Sequence, residues 1–220
     1  MHGLNTNTSI PIFSAFIGGD NLDYAYDIIT DTSSFSANIF VCGATRSINL
    51  PSTPGAYNLN PNVNISTKYD VSVFSLSADG SNLLALTYLG GDESDYAYAI
   101  DRQSNGNIVI TGETRSTNFP TTPGAYSTTP NTGLNSENIF VSILNPSLSN
   151  LVASTYIGGS TGEVAYALTI SYGNQVIIAG YAKSTDYPTV SGGFSSTNSG
   201  LNDTFVSIFS NVLSTLEAST

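Results

Sequence analysis

The chain has 220 residues, 40% of them hydrophobic and 10% charged, with 13 Tyr, 10 Phe and a net charge of −11. That content can bury a core as one all-β domain or as several stacked units, and it is too aromatic for a disordered chain. The five basic residues, Arg46, Lys68, Arg102, Arg115 and Lys183, form no run, which argues against a nucleic-acid backbone or an anionic membrane surface as partner and leaves cations or neutral sugars.

Other classes fall on residue counts. Cys42 is the only cysteine, so no intrachain disulfide or cysteine metal cluster forms; within Asn38-Ile39-Phe40-Val41-Cys42 it reads as a small buried hydrophobe. His2 is the only histidine and lies in a terminus, which argues against a Ser-His-Asp device or a histidine-held zinc. No apolar run reaches the roughly 18 residues that span a bilayer, so no membrane insertion is expected. The start, Met1-His2-Gly3-Leu4, is not a signal peptide. Few lysines and abundant Ser, Thr, Asn and Tyr still favour an extracellular or cell-surface location, with a leader removed or a longer parent chain, and a low-charge surface also suits an acidic habitat.

In chain order, residues 10–19 come first, as a strand ending on Gly18-Gly19. Its end, Phe16-Ile17-Gly18-Gly19, returns as Tyr88-Leu89-Gly90-Gly91 and Tyr156-Ile157-Gly158-Gly159, at offsets of 72 and 68 residues. Four more phrases keep the same order in three copies. Asp23-Tyr24-Ala25-Tyr26 matches Asp95-Tyr96-Ala97-Tyr98 and Glu163-Val164-Ala165-Tyr166. Cys42-Gly43-Ala44-Thr45-Arg46-Ser47 matches Thr111-Gly112-Glu113-Thr114-Arg115-Ser116 and Ala179-Gly180-Tyr181-Ala182-Lys183-Ser184. The loop phrases ending at Tyr57, Tyr126 and Phe194, and the strand phrases starting at Asp70, Asn138 and Asp203, complete the set. Such a period marks a repeat architecture.

The middle copy gives the strands. Residues 96–101 alternate, Ser104-Asn105-Gly106-Asn107 predicts a type I′ hairpin, and 108–112 return as a strand whose continuous apolar run predicts burial on both faces. Residues 139–144 form a third strand, Asn145-Pro146-Ser147 turns the chain, and 151–157 form a fourth. The Thr/Pro/Gly/Asn-rich stretch 115–136 reads as an ordered loop pinned by its aromatic.

The string from Thr87-Tyr88-Leu89-Gly90-Gly91 through Asp95-Tyr96-Ala97-Tyr98 and residues 106–126 resembles the SBBP-type β-propeller repeat of secreted and surface proteins in bacteria and archaea. The resemblance covers nearly the whole chain; the third copy departs from it at Val190-Ser191-Gly192-Gly193. It implies one propeller-like blade per repeat and extracellular scaffolding, and no reaction. The expected fold is therefore all-β: three tandem four-stranded antiparallel blades, too few for a normal closed propeller. The expected boundaries are 1–19 for a spare fourth-strand equivalent, then repeats at 20–91, 92–159 and 160–220, the last ending within its fourth strand.

Open flanks invite self-association. A non-catalytic structural protein is expected, joining copies of itself into a filament or oligomeric ring by strand addition through Ile10, Ile12, Phe13, Phe16 and Leu216. The alternative is a carbohydrate-binding adhesin that meets surface glycans with Tyr24, Tyr26, Tyr96, Tyr98 and Tyr166, although packing between sheets ranks ahead for these rings. Asp20, Asp23, Asp92, Glu93 and Asp95 follow the Gly-Gly turns. They could hold Ca²⁺, but capping turn N–H groups ranks ahead, because the third copy loses the charge. A carboxylate enzyme using Asp92, Glu93, Asp95 and Glu113 ranks last, since Ala44 and Tyr181 replace Glu113 in the other copies. Arg46, Arg115 and Lys183 share one position and are expected to bond a nearby carboxylate or carbonyl. Three Asn-x-Ser/Thr sequons, at Asn7, Asn64 and Asn202, are what so Asn-rich a composition gives by chance.

Overall fold

The computed structural model describes residues 13–31, 37–51, 53–61, 67–131 and 137–220. Ile10 and Ile12, His2 and the sequons at Asn7 and Asn64 lie outside or partly outside these. The described residues form twelve strands and no helix. β1 (Asp23–Thr30), β2 (Ile39–Thr45), β3 (Asp70–Leu76) and β4 (Leu83–Leu89) make one sheet. β5 (Asp95–Arg102), β6 (Ile108–Thr114), β7 (Asn138–Leu144) and β8 (Leu151–Ile157) make the second. β9 (Glu163–Ile170), β10 (Val176–Ala182), β11 (Asp203–Phe209) and β12 (Leu216–Ser219) make the third. Each sheet is an antiparallel meander drawn from one sequence copy, and none closes on itself. These are three propeller-like blades.

Strand period 2 sends alternate residues to opposite faces, and each face of the middle blade meets a neighbour. Phe40, Cys42, Val71 and Val73 of blade 1 pack with Ala97, Ile100, Ile108, Ile110 and Phe140 of blade 2. Val109, Ile139, Val141 and Ile143 on the other side of blade 2 pack with Val176, Ile178, Phe205 and Phe209 of blade 3. Every residue of β6 is buried, which is why its apolar run is continuous. Carboxylates tie the inner strands together: Asp27 accepts from the Ile100 N–H at 2.9 Å, and Asp101 from the Ile170 N–H at 2.8 Å.

The long loops strap each blade to the next. The Tyr57 N–H donates to the Leu148 carbonyl at 2.9 Å, and the Tyr126 N–H to the Leu213 carbonyl at 2.8 Å. Leu148 and Leu213 sit in the β7–β8 and β11–β12 turns with φ of 53° and 58° and are fully buried. A leucine in this left-handed region is strained, so its burial must offset a backbone penalty of about 1–2 kcal/mol. It acts as a plug pressed into the preceding blade.

Three expectations are corrected. The 104–107 hairpin is not type I′, which needs two residues at positive φ; only Gly106 is left-handed, at 94°, and its N–H closes on the Gln103 carbonyl. Residues 13–19 are not a strand, because a fourth strand pairs with the third strand of its own blade and β3, β7 and β11 are already paired. Ile17 lies against the outer face of blade 1 instead. Leu216 is no spare contact either: it pairs with Phe209 and packs into the core between blades 2 and 3.

Candidate functional site

The Gly-Gly turn is the first repeated constellation. Asp95 is buried and accepts from the Gly91 N–H at 2.8 Å and the Ser116 hydroxyl at 2.9 Å. Asp92 and Glu93 donate their backbone N–H groups to Asn118 Oδ1 and Ser116 Oγ. Blade 1 repeats the pattern: Asp23 accepts from the Gly19 N–H at 2.9 Å and the Ser47 hydroxyl at 3.0 Å, and the Asp20 N–H donates to Asn49. In blade 3 a longer Glu163 reaches the Gly159 N–H at 3.0 Å and Asp186 takes the place of Asn49 and Asn118. The turn needs glycine because a Cβ on Gly91 would land on the Asn118 and Ser116 side chains that hold it.

These bonds place the turn acids where they hold backbone. Burial pushes the Asp95 carboxyl up to about 8, against the pull of its bonds to Thr114, Gly91 and Ser116. Glu163 is pushed up to about 7 for the same reason. Asp92 bonds Thr117, and Glu93 pairs with Lys68 at 2.5 Å. Among the described residues no group of three or more His, Cys, Asp or Glu is placed to hold a metal ion, and the turn acids Asp20, Asp23, Asp92, Glu93 and Asp95 lie at separate turns of blades 1 and 2.

The second constellation is a strip of tyrosines. Tyr24 stacks on Tyr26, with ring centres 6.1 Å apart, and Tyr96 stacks on Tyr98 at 6.0 Å. Across blades, Tyr26 meets Tyr98 at 5.1 Å and Tyr98 meets Tyr166 at 5.2 Å. Tyr69 bridges Tyr24 and Tyr96, and Tyr181 extends the strip beyond Tyr166. All five tyrosines singled out from the sequence therefore belong to one feature, and Tyr69 and Tyr181 join them.

A bulge repeated in every blade positions it. The register skips Tyr26 between Ala25 and Asp27, Tyr98 between Ala97 and Ala99, and Tyr166 between Ala165 and Ala167. A bulge bends the strand and re-aims the extra side chain. Opposite it stand Gly43, Gly112 and Gly180, where a Cβ would overlap the carbonyl oxygens of Tyr24, Tyr96 and Val164. The sequence signal was there: one glycine inside the second strand of all three copies.

Four of the five basic residues border the strip. Arg46 lies 5.3 Å over the Tyr69 ring and Lys183 5.5 Å over Tyr181. Arg115 bonds Glu137 at 2.9 Å and approaches Glu113 at 3.7 Å, as expected for a structural cation, and Lys68 adjoins Tyr69. Burial raises the Glu113 carboxyl above its ordinary range.

Together the stacked meanders, loop straps and recurring turn define a class, a tandem array of propeller-like blades. The chain matches no protein-family model and no curated protein.

Proposed function

We propose that the chain is a non-catalytic structural β-repeat protein of the cell exterior, similar in kind to the SBBP-type repeats, that assembles with copies of itself. One observation carries the reading: the faces that pack blade on blade inside the chain recur only partly covered at its two outer sides, where Ile17 shields Ile39, Val41 and Leu76 and leaves other apolar residues exposed. Ile28 of blade 1 is 61% exposed while its counterpart Ile100 in blade 2 is 3% exposed. Val206 of blade 3 is 39% exposed while its counterpart Val141 is fully buried. Apolar surface of this kind favours association. The engagement of Asp23, Asp95 and Glu163 with turn backbone supports a structural role over a catalytic one. Light scattering from about 1 to 100 µM tests assembly, a range in which micromolar association registers. Mass rising in multiples of the 23.0 kDa chain is expected, and a monomer throughout would remove the reading.

The tyrosine strip favours a second reading, that the same surface binds glycans. Tyr24, Tyr26 and Tyr166 are exposed, and rigid amphipathic rings give contact area at low entropic cost, with Arg46 and Lys183 beside them as hydrogen-bond donors. The chain has no Trp, so its fluorescence reports tyrosine directly. Titration with soluble cello-, chito- and manno-oligosaccharides is expected to change that emission. Tyr98→Ala should weaken binding at least about tenfold, the scale of one or two buried ring contacts. Tyr172→Ala, in the exposed β9–β10 turn, should leave it unchanged. No response to any of the three sugars ends this reading.

A further inference from the structure

The plug-and-strap junction has unequal counterparts at the two outer blades. Position 80 of blade 1 corresponds to Leu148 and Leu213: its N–H closes on Ser77 as theirs close on Asn145 and Ser210, and its φ of 68° matches theirs. The residue there is Gly80, which carries no plug. The space is not vacant, because a Cβ built on Gly80 would fall on the ring of Phe13. Phe13 lies where the leucine side chains start in the other blades, and it is 41% exposed. Beside it a groove of about 470 Å³ runs over blade 1, lined by Ile28, Val41, Phe74 and Leu76.

Blade 3 holds the opposite half. Phe194 occupies the position of Tyr57 and Tyr126, on a loop closed alike by Gly193 N–H to Val190 carbonyl. Tyr126 rests its ring on Phe209 of the following blade at 5.7 Å, whereas Phe194 is fully exposed.

We propose that a second copy of this chain seats its blade 1 on blade 3, continuing the junction made twice inside each molecule. The Phe13 ring of the incoming copy serves as plug. The Phe194 N–H donates to the Gly80 carbonyl, as Tyr57 and Tyr126 donate to Leu148 and Leu213. The apolar face around Val206 covers the groove. This rests on the self-assembly reading and replaces strand addition with face stacking as its means. The contact joins two different surfaces, so it propagates head to tail.

The test is Phe13→Asp and Phe194→Asp, each checked for an unchanged melting midpoint and weighed by light scattering. Each removes a different half of the junction, so each alone should stay monomeric where the wild type assembles. An equimolar mixture should stop at the dimer, twice 23.0 kDa, because only one intact plug and one intact socket can meet. Variants that assemble like the wild type, or a mixture that stays monomeric, overturn the junction and leave self-assembly standing. A wild type that never assembles removes both.

Discussion

The melting temperature should fall by about 10 °C as pH rises from 5 to 8.5, and Asp95→Asn should remove about half of that fall. The two buried turn carboxyls set the direction. Asp95 titrates at about 8 in the folded chain against an ordinary 3.8, and Glu163 at about 7 against 4.5, in both cases chiefly through burial. The folded state therefore holds protons that the unfolded state releases, and the stability they contribute is complete below about pH 4 and lost as pH climbs through 7 and 8. Each tenfold difference in proton affinity between the two states is worth about 1.4 kcal/mol, and each kcal/mol moves the midpoint of a chain this size by about 2–4 °C. A carboxyl that ionises inside the fold draws in water and relaxes its surroundings, so the fall is smaller than complete burial would impose. Two surface groups act the other way. Bonds to Ser77 and Ser81 hold Asp79 down to about 2, and the Ser160 N–H lowers Asp186, so their contributions vanish as pH falls below about 4. Both are solvated, so screening keeps their effect small. The optimum should lie near pH 4, in the acid range the sparse surface charge suits. In Asp95→Asn the amide oxygen can keep the bonds from the Gly91 N–H and the Ser116 hydroxyl, while the side chain can no longer ionise. A calorimetric midpoint that rises from pH 5 to 8.5 would contradict this assignment, as would an Asn variant equally destabilised at both ends.

The strands were legible because the repeat supplied three readings of each one. β8 falls on the residues its apolar run marked, and β6 extends two residues further because Glu113 and Thr114 stay paired with β7. The blade stacking was legible from the two-sided burial of 108–112. The role of Leu148 was not, because it falls between the strands at 139–144 and 151–157, in a turn where burial is not expected. Only tertiary burial offsets its left-handed backbone, and propensity carries no such information. The spare strand misled for a related reason: residues 10–19 carry the right pattern, yet a strand also needs an unpaired neighbour. The acids of the Gly-Gly turns were found, but their use depends on Ser47, Asn49, Ser116 and Asn118, more than twenty residues away in sequence. Of the tyrosine strip, the i, i+2 pairs were visible and the bridging by Tyr69 was not.

Gly112→Ala should lower the melting midpoint by more than about 10 °C, or prevent folding, while Gly124→Ala lowers it by only about 3 °C. The two glycines are present for different physical reasons. Gly124 has φ of 81° with open space where a Cβ would go, so alanine there meets only the backbone preference, about 1 kcal/mol. Gly112 lies within β6, opposite Ala97 and beside the bulged Tyr98, and its Cβ would strike the carbonyl oxygen of Tyr96. Backbone atoms cannot rotate aside as a side chain can. Relief requires β5 and β6 to separate or the bulge to straighten. Separation would disturb the middle sheet, which carries both internal interfaces, so the loss would not stay local. Straightening would turn every residue of β5 beyond the bulge to its other face, sending Asp101 into the apolar core shared with blade 1 and taking Ile100 out of it. Circular dichroism melts of the two variants decide it: equal losses would mean that the glycine in the second strand has no part in holding the bulge, and with it the spacing of Tyr26, Tyr98 and Tyr166 would lose its structural cause.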